Sequence, residues 1–219
     1  MMIQIDNLFM RYKKDATILH DVNLSVDKGE FVFIVGPSGA GKSTILRLIH
    51  RELVPTSGII QVAGYDLSKL KNSQIPHYRR KVGVVFQDFK LLPNRTIAQN
   101  IALALRVAGA KRSQIKRNVE RVMEWTNLTH RKDALPEDIS GGEQQRASIA
   151  RAIVNEPPLI LADEPTGNLD ADLSFDIMSL LERFNRRGAT VLVATHNIDL
   201  AREFDKRVIR IQQGKIIEE

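Results

Sequence analysis

The stretch Gly36, Pro37, Ser38, Gly39, Ala40, Gly41, Lys42, Ser43, Thr44 constrains this chain more than any other, because it meets the phosphate-cradling pattern G-x-x-x-x-G-K-[ST] at every defined position. That pattern demands a strand before it and a helix after it. Phe31 to Val35 is a short apolar, β-branched run, and Ser43 to Leu53 carries apolar residues at helical spacing, so both flanks are in place. Gly36, Gly39 and Gly41 let backbone N–H groups and the start of the helix point at one anion. Lys42 adds a positive charge near the β- and γ-phosphates, and Ser43 offers a hydroxyl to Mg²⁺. A glycine-rich turn needs no ligand, but a turn flanked this way reads as a nucleoside triphosphate site.

At 219 residues the chain is long enough for one domain with a sizeable core. It has no cysteine, which excludes disulfides, cysteine-ligated metals and thiol catalysis. The net charge of +6 permits an anionic partner. The cations are spread in short runs such as Arg79 to Lys81, without interleaved aromatics, so no specific nucleic acid is expected. Met1 to Asp6 offer neither a basic start nor an apolar stretch, and no apolar run approaches transmembrane length. A cytosolic protein is expected.

Ile3 to Tyr12 and Ile18 to Val26 alternate apolar and polar residues and can pair as antiparallel strands. Ile59 to Val62 and Val82 to Phe86 read as further strands. From Thr96 to Asn127 the pattern turns helical, with two amphipathic helices separated near Gly109, and a third begins around Ser140. Strand and helix then alternate again: Leu159 to Ala162, Leu173 to Phe184, Thr190 to Ala194, a short helix from Ile198, and Val208 to Ile211. This predicts an α/β fold in one domain, with a core over about 1–88 and 157–219 and an inserted helical subdomain over about 89–156.

Leu159 to Glu164 is an apolar strand ending in two adjacent carboxylates, where a parallel sheet presents its carboxyl ends to ligand. Asp163 suits Mg²⁺ held through water, and Glu164 suits the general base that activates the attacking water. Ile139 to Arg146 opens with Ser140, Gly141, Gly142 and Glu143, a capping box that leaves a helix start sterically bare.

This last segment resembles the signature of the ATP-binding cassette (ABC) ATPases, usually LSGGQ, with Ile139 and Glu143 departing from it. The resemblance extends in order over essentially the whole chain. It implies the P-loop NTPase fold of that family, with a mostly parallel core sheet, an antiparallel β subdomain and the α-helical insertion. It also implies Mg-dependent ATP hydrolysis with ATP and Mg²⁺ bound. Tyr12 then matches the aromatic that stacks on adenine, Gln87 the glutamine that senses Mg²⁺ and the attacking water, and His196 the histidine that contacts the γ-phosphate. Ser140, Gly141, Gly142 and Glu143 match the residues that meet ATP held by a second copy of the chain. Asn168, Leu169 and Asp170 match the loop that crosses this homodimer.

A narrower resemblance, to the cassettes of bacterial cell division, rests on Glu164 to Asp170, Phe86 to Thr96 and Gly214 to Glu219. It implies a peripheral subunit on the cytoplasmic face of the membrane, working with an integral membrane partner of the FtsX type. Phe89, Leu91, Leu92 and Pro93 form an apolar run beside Gln87, and the docking of that partner is expected there. Lipoprotein-release and macrolide-export cassettes share part of the pattern and stay open at this point. So does a soluble cassette acting on nucleic acid or ribosomes.

Overall fold

The computed structural model describes residues 1–13, 16–167 and 169–218. Among these the order is β1 (Ile3–Lys13), β2 (Ala16–Val26), β3 (Phe31–Val35), α1 (Lys42–Ile49), β4 (Ser57–Val62), β5 (Tyr65–Asp66), α2 (Ile75–Arg79) and β6 (Val82–Val85). It continues with α3 (Ile97–Val107), α4 (Arg112–Trp125), α5 (Gly141–Ile153), β7 (Leu159–Asp163), α6 (Ala171–Asn185), β8 (Thr190–Thr195), α7 (Ile198–Glu203), β9 (Arg207–Gln212) and β10 (Lys215–Glu218).

Two sheets result. β2-β1-β4-β5 is antiparallel throughout. The second runs β10-β9-β3-β8-β7-β6, parallel from β9 to β6, with β10 added as an antiparallel edge. Because side chains alternate along a strand, each central strand serves two apolar layers. Phe31, Phe33 and Val35 of β3 join Ile160, Val191 and Val193 in a core with α3, α4, α5 and α6. Val32 and Ile34 join Leu161, Leu192 and Ala194 in a second core with α1 and the antiparallel sheet. The parallel sheet is thus covered on both faces. The loops after β3, β6, β7 and β8 all leave its carboxyl edge, where open α/β sheets bind ligand.

Three short elements show no period in the sequence. β5 and α2 are too short for a period to show; α2 starts with Pro76 near its first position and is fixed by Tyr78, fully buried, whose hydroxyl donates to the Ile49 carbonyl. β10 forms a hairpin with β9 through Gln213 and Gly214, both at positive φ, and a Cβ on Gly214 would meet the Ile18 carbonyl oxygen at 2.1 Å. α1 ends at Ile49 rather than running to Leu53. Arg51 takes φ 60°, and the N–H groups of Glu52 and Leu53 both return to the Arg47 carbonyl, at 2.9 and 3.2 Å, which closes the helix.

The run Phe89, Leu91 and Leu92, expected as one exposed cluster, is divided. Leu91 is half-buried and packs against the helical core, Phe89 is half-buried too, and Leu92 is 41% exposed. No helix among the described residues is long and apolar enough to cross a membrane.

Candidate active site

The loop after β3 takes its shape from three glycines. Gly39 and Gly41 sit at φ 79° and 109°, and a Cβ on Gly36 would meet the Ile211 carbonyl oxygen at 2.1 Å. Ala40 closes a turn to the Pro37 carbonyl at 3.2 Å and buries its methyl in the sheet-side core, so it gives the loop only backbone. Gly41 caps α1 with no side-chain acceptor and no acidic residue follows in the first turn, which leaves that helix start open to an anion.

Lys42 opens α1, and its side chain is 5% exposed. Its ammonium donates to the Gly36 and Pro37 carbonyls at 2.8 and 3.1 Å and lies 3.4 Å from Glu164 Oε1. The carboxylate of Glu164, 11% exposed, reaches His196 through its other oxygen, 2.9 Å from Nδ1 and 3.3 Å from the backbone N–H. A buried ion pair is tolerable only when further hydrogen bonds satisfy both partners, and here they do. Glu164 is held at φ 45°, a left-handed conformation unfavourable for a side-chain-bearing residue, with its N–H on the Ala194 carbonyl at 2.9 Å.

Ser43 donates to Asp163 Oδ1 at 2.7 Å, tying the phosphate loop to the end of β7. Burial pushes the Asp163 carboxyl above its usual range, more than the Ser43 bond lowers it. No group of three or more His, Cys, Asp or Glu able to hold a metal occurs among the described residues. The hydroxyl and carboxylate of Ser43 and Asp163 therefore fit Mg²⁺, which takes few protein oxygens and completes its shell with phosphate and water, better than a metal needing an all-protein cage.

Around these groups lies a cleft of about 640 Å³ walled by Tyr12, Ser38, Lys42, Gln87, Glu164 and His196, among others. Tyr12 is 46% exposed, its hydroxyl 3.5 Å from both Thr44 Oγ1 and Arg47 Nη1. The Gln87 amide lies close to the backbone at Gly167. The chain thus gathers Tyr12, the phosphate loop, Gln87, Glu164 and His196 at one opening, with Asp163 tied to it through Ser43.

The signature residues are not among the walls of that cleft. Ser140 caps α5, accepting from the Glu143 N–H at 3.3 Å, and Glu143 Oε2 accepts from the Ser140 N–H at 2.9 Å. Glu143 Oε1 accepts from Arg131 Nε at 2.7 Å, and that guanidinium, with the cap bonds, holds its carboxyl down at about 2. Gly141 is bare, but the helix start is not open on every side: a Cβ on Gly142 would meet Leu173 Cδ2 at 2.4 Å, so this glycine also lets α5 and α6 pack closely. Asp170 caps α6, accepting from the Leu173 N–H at 2.8 Å. Asn168 lies outside the described residues.

Arg151 was missed by sequence reasoning. Burial lowers its pKa, and its guanidinium donates to the Phe89 and Lys90 carbonyls just past Gln87. An arginine within the apolar face of α5 was the available signal.

A sequence model of the ABC transporter family matches residues 19–167. The chain belongs to the ABC transporter family. Members bind and hydrolyse ATP with Mg²⁺, and this cassette is such an ATPase. It is similar to the protein named cell division ATP-binding protein FtsE of Streptococcus pneumoniae, 49% identical over 98% of this chain and 94% of that protein. It is also similar to proteins of that name in Bacillus subtilis (48%, over 99% and 95%) and Escherichia coli K12 (43%, over 98% and 97%). Among solved structures it resembles the cassette MJ0796 in a dimeric post-hydrolysis state bound to ADP and Pi, with TM-score 0.90 and 36% identity over 99% of this chain and 97% of the other.

Proposed function

We propose that this ABC cassette is the ATP-hydrolysing subunit of a membrane-associated complex of bacterial cell division, working as a homodimer with an integral membrane partner of the FtsX type. The observation that carries the reading is the Glu164 carboxylate, set between Lys42 and His196 at the mouth of a phosphate loop. The relatives quoted above, 43–49% identical over nearly their whole length and named for cell division, favour this over export of lipoproteins or macrolides.

In this reading the loop from Gly36 to Thr44 holds the triphosphate, and Lys42 pairs with its β- and γ-oxygens. Ser43, Asp163 and Gln87 are the groups that would hold Mg²⁺, which when bound neutralises charge on the phosphates. A water oxygen attacks the γ-phosphorus, the bond to the β–γ bridging oxygen breaks, and Glu164 takes the water proton. His196 orients Glu164 and contacts the γ-phosphate, while Tyr12 carries the adenine. Ser140, Gly141 and Asp170 meet the nucleotide across a dimer; the solved relatives described as dimeric support the dimer itself. We take 89–156 as the helical unit that passes the nucleotide state to the membrane partner, with Phe89 and Leu92 as docking residues. The subunit itself then sits peripherally on the cytoplasmic face.

The deciding experiment is Glu164→Gln. Hydrolysis should fall by orders of magnitude while ATP binding persists, and an ATP-bound dimer should accumulate. Lys42→Ala should weaken ATP binding itself. Wild-type turnover in the glutamine variant would remove Glu164 from the chemistry. Failure to co-purify any membrane protein from native membranes would remove the complex.

A further inference from the structure

A second cavity, of about 480 Å³, opens where β7 and β8 begin, at the opposite edge of the parallel sheet from the nucleotide cleft. Its walls include Arg121 and Trp125 of α4, Glu156 and Pro157 ahead of β7, Phe184 of α6, and Arg187 just past α6. The Arg187 guanidinium lies 3.9 Å from the Trp125 ring centre and that of Arg121 lies 4.9 Å away, while Phe184 packs against the same ring at 5.8 Å. Arg121 binds Glu156, yet its Nε is shut off from solvent without a hydrogen-bond partner. Arg187 has no carboxylate partner among the described residues, nor do Arg117 and Arg183, each one turn earlier on its helix. The one carboxylate in the cavity is already engaged.

We propose that this cavity docks an acidic peptide of a protein partner, with an aromatic or aliphatic side chain in the recess beside Trp125 and an adjacent carboxylate on Arg187. Charge complementarity selects the occupant. Arg187, stacked on Trp125, keeps N–H groups without a carboxylate partner, and the apolar lining of Pro157, Pro158 and Ile160 beside it takes an apolar group. Tryptophan and arginine in a concave, partly desolvated setting are the residue types that dominate binding energy at protein interfaces. The arginines extend beyond the cavity along both helices, which suits a chain of several residues better than one small anion. A membrane surface would need a convex patch rather than a recess. The proposal is independent of the nucleotide reading, since none of these residues lines the first cleft.

Trp125 is the chain's single tryptophan, so its fluorescence reports on this cavity alone. Random heptapeptides displayed on phage are selected against the full-length protein, and the best is synthesised and titrated against Trp125 emission. Enrichment of an aromatic or leucine beside Asp or Glu is expected, with a change in Trp125 emission on binding. Arg187→Gln, on the surface, should weaken binding at least tenfold and leave ATPase activity and thermal stability unchanged; affinity should fall as salt rises. Peptides lacking acidic residues, an unchanged Trp125 signal, equal binding to Arg187→Gln, or no enrichment at all would each overturn the proposal. So would a Trp125 response confined to anionic vesicles or an oligonucleotide.

Discussion

Arg151 donates through Nη2 to the Phe89 carbonyl at 2.7 Å, so the helix that starts at the signature glycines also grips the backbone that follows Gln87. Its Nη1 donates to the Lys90 carbonyl at 2.5 Å. Phe89 and Lys90 sit at φ 54° and 47°, which costs on the order of 1–2 kcal/mol each for residues with a Cβ. Arg151→Met keeps much of the apolar stem but loses both bonds. It should destabilise the fold by about 1–3 kcal/mol, several degrees in Tm, and lower kcat more than ATP affinity. Thermal melts, phosphate release and an equilibrium ATP titration separate the two effects. A lower Tm with unchanged kcat would make the contact purely structural.

Gly141 and Gly142 are neighbours with different surroundings: nothing lies within 4 Å of a Cβ added to the first, whereas one on the second would push Leu173 aside. Gly142→Ala should therefore cost about 1 kcal/mol in the isolated subunit, because half-buried Leu173 can rotate. Gly141→Asp should leave Tm and ATP binding alone and block ATP-driven dimerisation in the Glu164→Gln background, since in the proposed dimer it brings a carboxylate towards the partner's triphosphate. Sedimentation decides. A dimer of normal strength from Gly141→Asp would rule out a trans contact there.

What the sequence shows and what it hides divide along the range of the interactions. The phosphate loop, the Asp163 and Glu164 strand end and the Ser140 to Glu143 cap are local patterns in which a few adjacent residues dictate the backbone, and all three are found as read. The packing role of Gly142 depends on Leu173, and the half-buried position of Arg151 depends on a loop far away in the chain. Neither partner is visible in a one-dimensional pattern. Leu91 and Leu92 are identical in type and adjacent, so only the direction of the backbone decides which one packs against the core.

Glu143 makes the fold sensitive to acid in a defined window. Its folded pKa of about 2 lies below the ordinary 4.5, so its contribution is complete above about pH 4.5 and is lost as pH falls towards 2. Glu143→Gln can still accept from the Ser140 N–H but loses the charge paired with Arg131. The variant should be less stable by about 1 kcal/mol at pH 7, with the difference shrinking below about pH 4.5. His50, held down at about 4 mainly by burial, weakens both proteins as pH drops below 6.5 and cancels in the comparison. Urea midpoints from pH 7 to pH 3 give the test, and a gap independent of pH would mean that the Arg131 pair contributes nothing.

The docking surface proposed beside Gln87 comes down to a contrast between two leucines. The buried amide of Asn100 fixes the backbone of Leu92 from both sides: Oδ1 accepts from the Leu92 N–H at 2.7 Å, and Nδ2 donates to its carbonyl at 3.1 Å. With the backbone so held, the Leu92 side chain stays 41% exposed while that of Leu91 packs against the helical core. A carboxylate at position 92 is solvated in the free subunit and desolvated only when an apolar partner covers it, at a cost of a few kcal/mol. Leu92→Asp should therefore leave Tm and ATP binding within about 0.5 kcal/mol of wild type and abolish co-purification with the membrane partner. Leu91→Asp should instead destabilise the isolated subunit by about 2 kcal/mol or more, since its charge is placed against the core. If Leu92→Asp is stable and still recovers the membrane protein, docking lies elsewhere on the cassette; if it is itself unstable, the side chain supports the fold rather than a partner.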